Sequence, residues 1–254
     1  MQAKYDKTTM ATLFTDIVMS KRVWTTLHRW VGIIIGIQVL LWIAGGLYMS
    51  AVPLEWVHGK PLIDRAPIEF ERDQLTSIKT LPVIDISAVQ SIEWVGRLGQ
   101  PILRVTAVSN LDSYYMFSAD KWQQLAPLDQ EAITEFAGSL YVGDGSLRSV
   151  QWLEKAPPEA SGIAHPVYRV DFDDWINTTF YIHPMTADVL KVRSDLWRLF
   201  DIFWMLHIMD YDERSDFNNP LLIISAVIAL FFTVTGMSLV FYWAQRSLRK
   251  RVHR

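Results

Sequence analysis

"WVGIIIGIQVLLWIAGGLYM", Trp30–Met49, carries no charged residue. A helix needs about 20 residues of this kind to cross a hydrocarbon core about 30 Å thick. A second run, "LLIISAVIALFFTVTGMSLVFYW", Leu221–Trp243, is equally free of charge. Helices buried in soluble cores seldom run so long without a charge, so both stretches predict transmembrane helices, over 30–50 and 220–243.

The flanks orient these spans. Lys21, Arg22 and Arg29 precede the first, and Arg246, Arg249, Lys250, Arg251 and Arg254 follow the second. Between the spans the flanking segments are poorer in basic residues, with Lys60 and Arg65 after the first span and Arg214 among four acids before the second. The excess of positive charge predicts both termini in the cytoplasm, residues 1–29 and the basic tail 244–254, and places 52–219 on the outer side, the periplasm of a bacterium. "LYMSAVP" is a poor cleavage site, so the first span reads as a retained anchor. The chain has no cysteine, which excludes disulfides and thiolate metal sites. A net charge of −3 offers nothing to nucleic acid. No Walker loop, dinucleotide fingerprint or serine nucleophile elbow is present, so any redox role must borrow electrons from another protein's flavin or from quinol.

The segment between the spans repeats itself. "SIEWV" (Ser91–Val95) resembles "SVQWL" (Ser149–Leu153), and "PILRVTA" (Pro101–Ala107) resembles "PVYRVDF" (Pro166–Phe172). "YYMFSADKWQQL" (Tyr114–Leu125) matches "TFYIHPMTADVL" (Thr179–Leu190) in length. "KAPPEASGIAH" lengthens the first hairpin of the second copy. Alternation within these segments predicts half-buried strands, three or four per copy. Before the second copy, Asp129 is a candidate N-cap for a helix whose stripe is Ile133, Phe136, Ala137 and Leu140. "IDISAVQ" suggests a shorter helix before the first. The repeat predicts that Trp94 and Trp152 are equivalent and largely buried, each costing about 3–5 kcal/mol on truncation.

At the last hairpin, "TTFYIHPMTADVLKVRS" resembles the closing turn of PepSY domains. Thr186, Val189 and Leu190 match that turn, while His183 and Ala187 stand where the family usually has an acid and a glycine. "TLHRWVGIIIGIQVLLWIAGGLYM" and "LWRLFDIFWMLHIMDYDE" resemble the membrane segments of PepSY-associated transmembrane proteins. The fold class expected is an α+β membrane protein, with two transmembrane helices flanking a periplasmic domain, 51–194. That domain comprises two PepSY-like units, about 86–126 and 127–194, each a helix plus an antiparallel meander. Residues 195–212 are expected to form an amphipathic interfacial helix.

The resemblance also bears on function. Larger members of that family include haem-containing ferric-siderophore reductases, and stand-alone PepSY domains are thought to inhibit peptidases. His28 and His207 match positions at which the family carries histidines, candidate axial ligands to haem b. The same residues have simpler readings. His28 fits an interfacial belt with Arg29 and Trp30, and His207 fits a headgroup contact among Phe203, Trp204 and Leu206. With one such histidine per leaflet, a bis-histidine haem requires a homodimer or a partner membrane protein, and a flavin reductase protein is a further expected partner, as electron donor. Gly32 and Gly36 have the spacing of a close helix contact. Two functions follow as expectations: a subunit of transmembrane electron transfer linked to ferric iron, or a cofactor-free periplasmic module that binds a protein or regulates a peptidase. Asp171, Asp173 and Asp174, with Asp129 and Asp144 elsewhere, have two readings, a cation site or, the favoured one, a solvated loop.

Overall fold

The computed structural model describes residues 21–64, 85–109, 112–118, 121–212 and 214–252. The N-terminal segment to residue 20, most of the proline-rich entry (65–84) and His253 lie outside the described residues. The protein combines helices with antiparallel sheet. It divides into two units, Met1–Ala51 with Asp201–Arg254, and Val52–Phe200. Among the described residues its helices are α1 (Lys21–Ala51), α2 (Leu54–Val57), α3 (Gln130–Leu140), α4 (Asp195–Ile208) and α5 (Pro220–Val252).

The unit Val52–Phe200 holds two four-stranded antiparallel meanders. One is β1 (Val89–Arg97), β2 (Gln100–Ala107), β3 (Asp112–Ser118) and β4 (Lys121–Gln124). The other is β5 (Leu147–Leu153), β6 (Val167–Phe172), β7 (Thr179–Ile182) and β8 (Val189–Arg193). Their registers match residue by residue. Ser91 opposes Thr106 and Ser149 opposes Asp171, each just after a bulge in the first strand. Trp94 is thereby equivalent to Trp152, and Arg104 to Arg169. In the third strand Arg104 faces Tyr114 and Arg169 faces Tyr181. Tyr114 is thus the counterpart of Tyr181, two residues beyond the Thr179 that matching the segments by length alone assigns to it. The copies also exchange a cross-strand pair. Thr106 on β2 donates to Asp112 on β3 at 2.7 Å, whereas Thr179 on β7 donates to Asp171 on β6 at 2.8 Å.

The second sheet packs one face on α3. Asp129 caps α3 by accepting from the Ala132 N–H at 2.8 Å. Ile133 and Ala137 are fully buried against Val150, Val170, Phe180 and Val192, with Phe136 and Leu140 packed alongside, so the expected stripe is the buried one. Tyr141 stacks on Phe172 with ring centroids 4.0 Å apart, and its hydroxyl donates to Asp174 at 2.9 Å. Asp174 is 7% exposed and also accepts from the backbone and hydroxyl of Thr178, so it is a pinned buried carboxylate and not part of a solvated loop. Gly145 is required beside it, because a Cβ there would stand 2.5 Å from the Asp174 nitrogen.

Two expectations need correction here. Trp94 and Trp152 are 36% and 39% exposed, so neither is a core residue and the cavity cost assigned to them falls away. Both lie at the rim of their sheets, Trp94 against Trp122 and Trp152 edge-on to Tyr168. The repeat rests instead on the shared register and bulge. "IDISAVQ" forms only a 3-10 turn, Ile86–Ala88, before β1 begins at Val89. The Asp85 carboxylate accepts from the Ser87 N–H and hydroxyl, closing a local turn in place of a helix.

In the other unit, Arg29–Ala51 of α1 and Pro220–Met237 of α5 have mean hydropathies of 2.1 and 2.2 and are long and apolar enough to cross a membrane. The protein buries only 11% and 0% of these stretches, so their side chains call for another apolar phase. The expected tail from residue 244 is helical, continuing α5 to Val252. Within this unit Asp201–Ile208 lies alongside α1. Phe203 packs on Tyr48 with centroids 5.3 Å apart, and a Cβ on Gly45 would stand 3.4 Å from Phe203. Gly32 faces the Phe232 ring, so it packs within the chain, whereas a Cβ on Gly36 would meet nothing within 4 Å.

Candidate functional site

The last carbonyls of any helix lack intrahelical partners, and apolar surroundings make that costly. At the end of α4 each of three carbonyls receives a side-chain donor. Gln38 Nε2 donates to Leu206 at 3.3 Å, Trp42 Nε1 to His207 at 3.1 Å, and Asn219 Nδ2 to Ile208 at 2.8 Å. This accounts for a glutamine within an otherwise apolar span. Met209, at φ +54, then turns the chain out of the helix. Asp201 pairs with Arg214, Trp204 Nε1 donates to the Arg214 carbonyl at 3.2 Å, and Asn219 Oδ1 accepts from the Leu222 N–H to start α5.

His207 therefore stands level with Trp42, in the interior of the apolar stretch of α1. Trp42 is nine residues from Ala51, about 13 Å at 1.5 Å per residue. The interfacial helix expected over 195–212 ends at Ile208, with its second half along α1. The His207 side chain is exposed. Its ring lies 6.1 Å from that of Trp42, at the mouth of a cleft of about 470 Å³ walled by Trp42, Trp204, Ile208, Phe217 and Leu222. Among the described residues, neither imidazole nitrogen has a hydrogen-bond partner. Residue 28 is on α1, fourteen residues before Trp42, about 21 Å along the axis, and its side chain lies outside the described residues. The structure does not bring His28 and His207 together.

The unit Val52–Phe200 holds two further polar constellations. His183 sits in the turn between β7 and β8. Its Nδ1 accepts from the Met185 and Thr186 N–H groups at 3.0 and 3.2 Å, so the proton is on Nε2, which faces the Tyr114 hydroxyl at 3.4 Å. His165 packs on the same ring at 4.3 Å. Burial, then the charges of His165 and Arg104, lower the His183 pKa to about 4 against an opposing effect of Asp112. Four residues on, Ala187 adopts φ +63. His58 lies apart, beside a groove with Lys60 and Leu190.

The second constellation lies around Arg169 and Arg198, where the sequence marked Arg169 only as a repeat position. Arg198 Nε and Nη2 hold the Glu159 carboxylate at 2.9 and 3.3 Å. Its Nη1 reaches the Asn177 carbonyl and Asp195, each at 3.0 Å, and its Nη2 also reaches Thr179 at 3.1 Å. The buried Tyr181 hydroxyl donates to Glu159. No group of three or more His, Asp or Glu suited to a metal ion occurs among the described residues.

No protein family, curated protein or solved structure matches this chain. The chemistry of these sites is therefore read from their own geometry. The His207 cleft sets an exposed imidazole against an apolar aromatic wall. The constellation around Arg198 offers hydrogen bonds and no nucleophile–base pair.

Proposed function

We propose that this chain is a two-span inner-membrane protein of the PepSY-associated transmembrane type. It acts as an electron-transfer subunit that holds haem b between the His207 side chains of two copies. The observation that carries this reading is His207 itself, an imidazole beside an aromatic cleft whose nitrogens have no hydrogen-bond partner among the described residues. Ala187 supports the family assignment, because it takes the left-handed backbone a glycine would supply. His183 does too, since its Nδ1 accepts two turn N–H groups as a carboxylate would.

Haem, when bound, supplies one-electron chemistry. The chain's residues supply the rest. His207 presents its nitrogen, Trp42 fixes the end of the helix that carries it, and Trp204, Phe217 and Leu222 keep water away. Residue 28 is too distant to be the second ligand, and a two-fold axis brings His207 to its own copy. The homodimer could be replaced by a partner membrane protein supplying one histidine. Electrons would come from a partner's flavin or from quinol and pass to an acceptor on the outer side, for which ferric iron is suited.

His207→Ala is expected to abolish or shift the haem absorption of the purified protein while leaving membrane insertion intact, because insertion depends on the two apolar helices. Bound haem with an unchanged spectrum in the variant would remove His207 as a ligand. The proposed topology has both termini in the cytoplasm and Val52–Phe200 in the periplasm. Reporter fusions at Arg254 should be active only in the cytoplasm and fusions at Pro158 only outside, and the reverse pattern would refute it.

A further inference from the structure

The two sheets are copies that have diverged at one place. In the first, Arg104 Nη2 makes a cross-strand ion pair with Glu93. In the second, the residue opposite Arg169 is Gln151, which carries no charge. The bulge position of β1 is Gln90, and that of β5 is Arg148. Bulges re-aim a side chain, and they recur beside binding sites. One acid has thus been lost and one guanidinium gained at equivalent positions. Arg148 and Arg169 both line a cleft of about 410 Å³, with Phe172 and Pro157 as apolar wall.

A count of donors and acceptors fixes what the cleft lacks. All five N–H donors of Arg198 are engaged, by Glu159, Asn177, Asp195 and Thr179. Both oxygens of Glu159 are taken by Arg198 and Tyr181. Asp171 accepts from Arg169 Nε, Thr179 and Ser149 at 3.0, 2.8 and 3.2 Å. The carboxylates are satisfied, so the cleft has no place for a cation. Among the described residues, Arg169 uses only its Nε, on Asp171, and has both Nη groups uncommitted. Arg148 makes no hydrogen bond among the described residues, and Asp173, an acid that its charge reaches, is held by the Ser146 N–H and hydroxyl. Apart from the Asn177 side-chain oxygen, the open groups are guanidinium donors, in a fork geometry that matches carboxylate and phosphate oxygens.

From this juxtaposition we infer that the cleft between β5, β6 and the start of α4 binds a small soluble molecule through a carboxylate or phosphate group, held by Arg148 and Arg169. The inference does not depend on haem. The probes are inorganic phosphate and succinate, titrated by calorimetry against the full chain in detergent micelles. Saturable binding of either at millimolar concentration is expected, and which one binds tells phosphate from carboxylate recognition. Arg148→Ala should weaken it at least about tenfold, the scale of a lost charge-assisted hydrogen bond. Gln151→Glu, which restores the acid of the first copy opposite Arg169, should do the same. Both positions are exposed, so the thermal midpoint should not move. Absence of binding by both probes, or binding that both variants leave unchanged, would overturn the site.

Discussion

Arg198→Ala is expected to destabilise the folded protein by about 2–4 kcal/mol, measured by chemical denaturation of the full chain in micelles. The guanidinium ties α4 to the Asn177 turn, to β7 through Thr179, and to Glu159 in the insertion of the second copy. Removing it leaves Glu159 largely buried beside the fully buried Tyr181 ring without its counter-charge. Burial alone would raise the Glu159 carboxyl. Hydrogen bonds from Arg198 and Tyr181 and the charge of Arg198 outweigh that, so it titrates below its ordinary value. A lowered carboxyl adds stability above its unfolded pKa, and that contribution is lost as pH falls through the folded value. The variant should lose this part of the acid response as well. Lysine should recover only a fraction, because one ammonium cannot span five acceptors in a planar fork. A loss below about 0.5 kcal/mol would place the clamp among exposed ion pairs of little consequence.

The second large effect is acid sensitivity from His183. Its neutral form is built into the turn, since Nδ1 is the acceptor for two N–H groups and protonation would turn that acceptor into a donor. Arg104, His165, Tyr114 and Asp112 are the polar and titratable groups around it. Its pKa falls from 6.5 to about 4 on folding. Above pH 6.5 both states are neutral and the residue contributes no pH dependence. Between these values the unfolded chain binds a proton that the native chain does not, so stability falls as pH falls. The loss levels off below about pH 4 at about 3 kcal/mol. His183→Asn keeps an acceptor oxygen in the turn without a titration in this range, and should flatten the slope between pH 6.5 and 4. An unchanged slope in that variant would assign the sensitivity elsewhere.

Much of the fold can be read along the chain, because its signals are local. The uncharged runs, the alternation of "ILRVTAV" and the N-cap Asp129 each depend on neighbouring residues. The equivalence of Arg104 and Arg169 is visible for the same reason. The pairing of Tyr114 with Tyr181 is not, because the β2–β3 and β6–β7 connections differ by two residues and only the register reveals the offset. The Thr106–Asp112 and Asp171–Thr179 pairs hide a similarity because the copies exchange the two residue types. Trp94 and Trp152 show the limit of residue type as a guide to burial. Both strands have a tryptophan there, yet each lies at a sheet rim where half a ring suffices to cover its neighbour.

The sites were less legible, since each is assembled across long separations. Amphipathicity in 195–212 is equally compatible with a helix on a membrane surface and one packed along another helix. Gln38 was the available clue, because a glutamine inside an apolar span needs an acceptor, and Leu206 provides it. The anion cleft joins residues 148, 159, 169 and 198, whose proximity no spacing rule conveys. His183 was readable as a turn residue, while its substitution for a carboxylate acceptor required the geometry of the ring.

The most direct measurement of the central claim is a dithionite-reduced minus oxidised absorption spectrum of the full chain purified from haem-replete cells. The proposal predicts a Soret band that sharpens on reduction, with one haem per two chains, lost or displaced in His207→Ala. A wild-type protein with no Soret band would contradict haem binding and leave a membrane-anchored binding module as the reading.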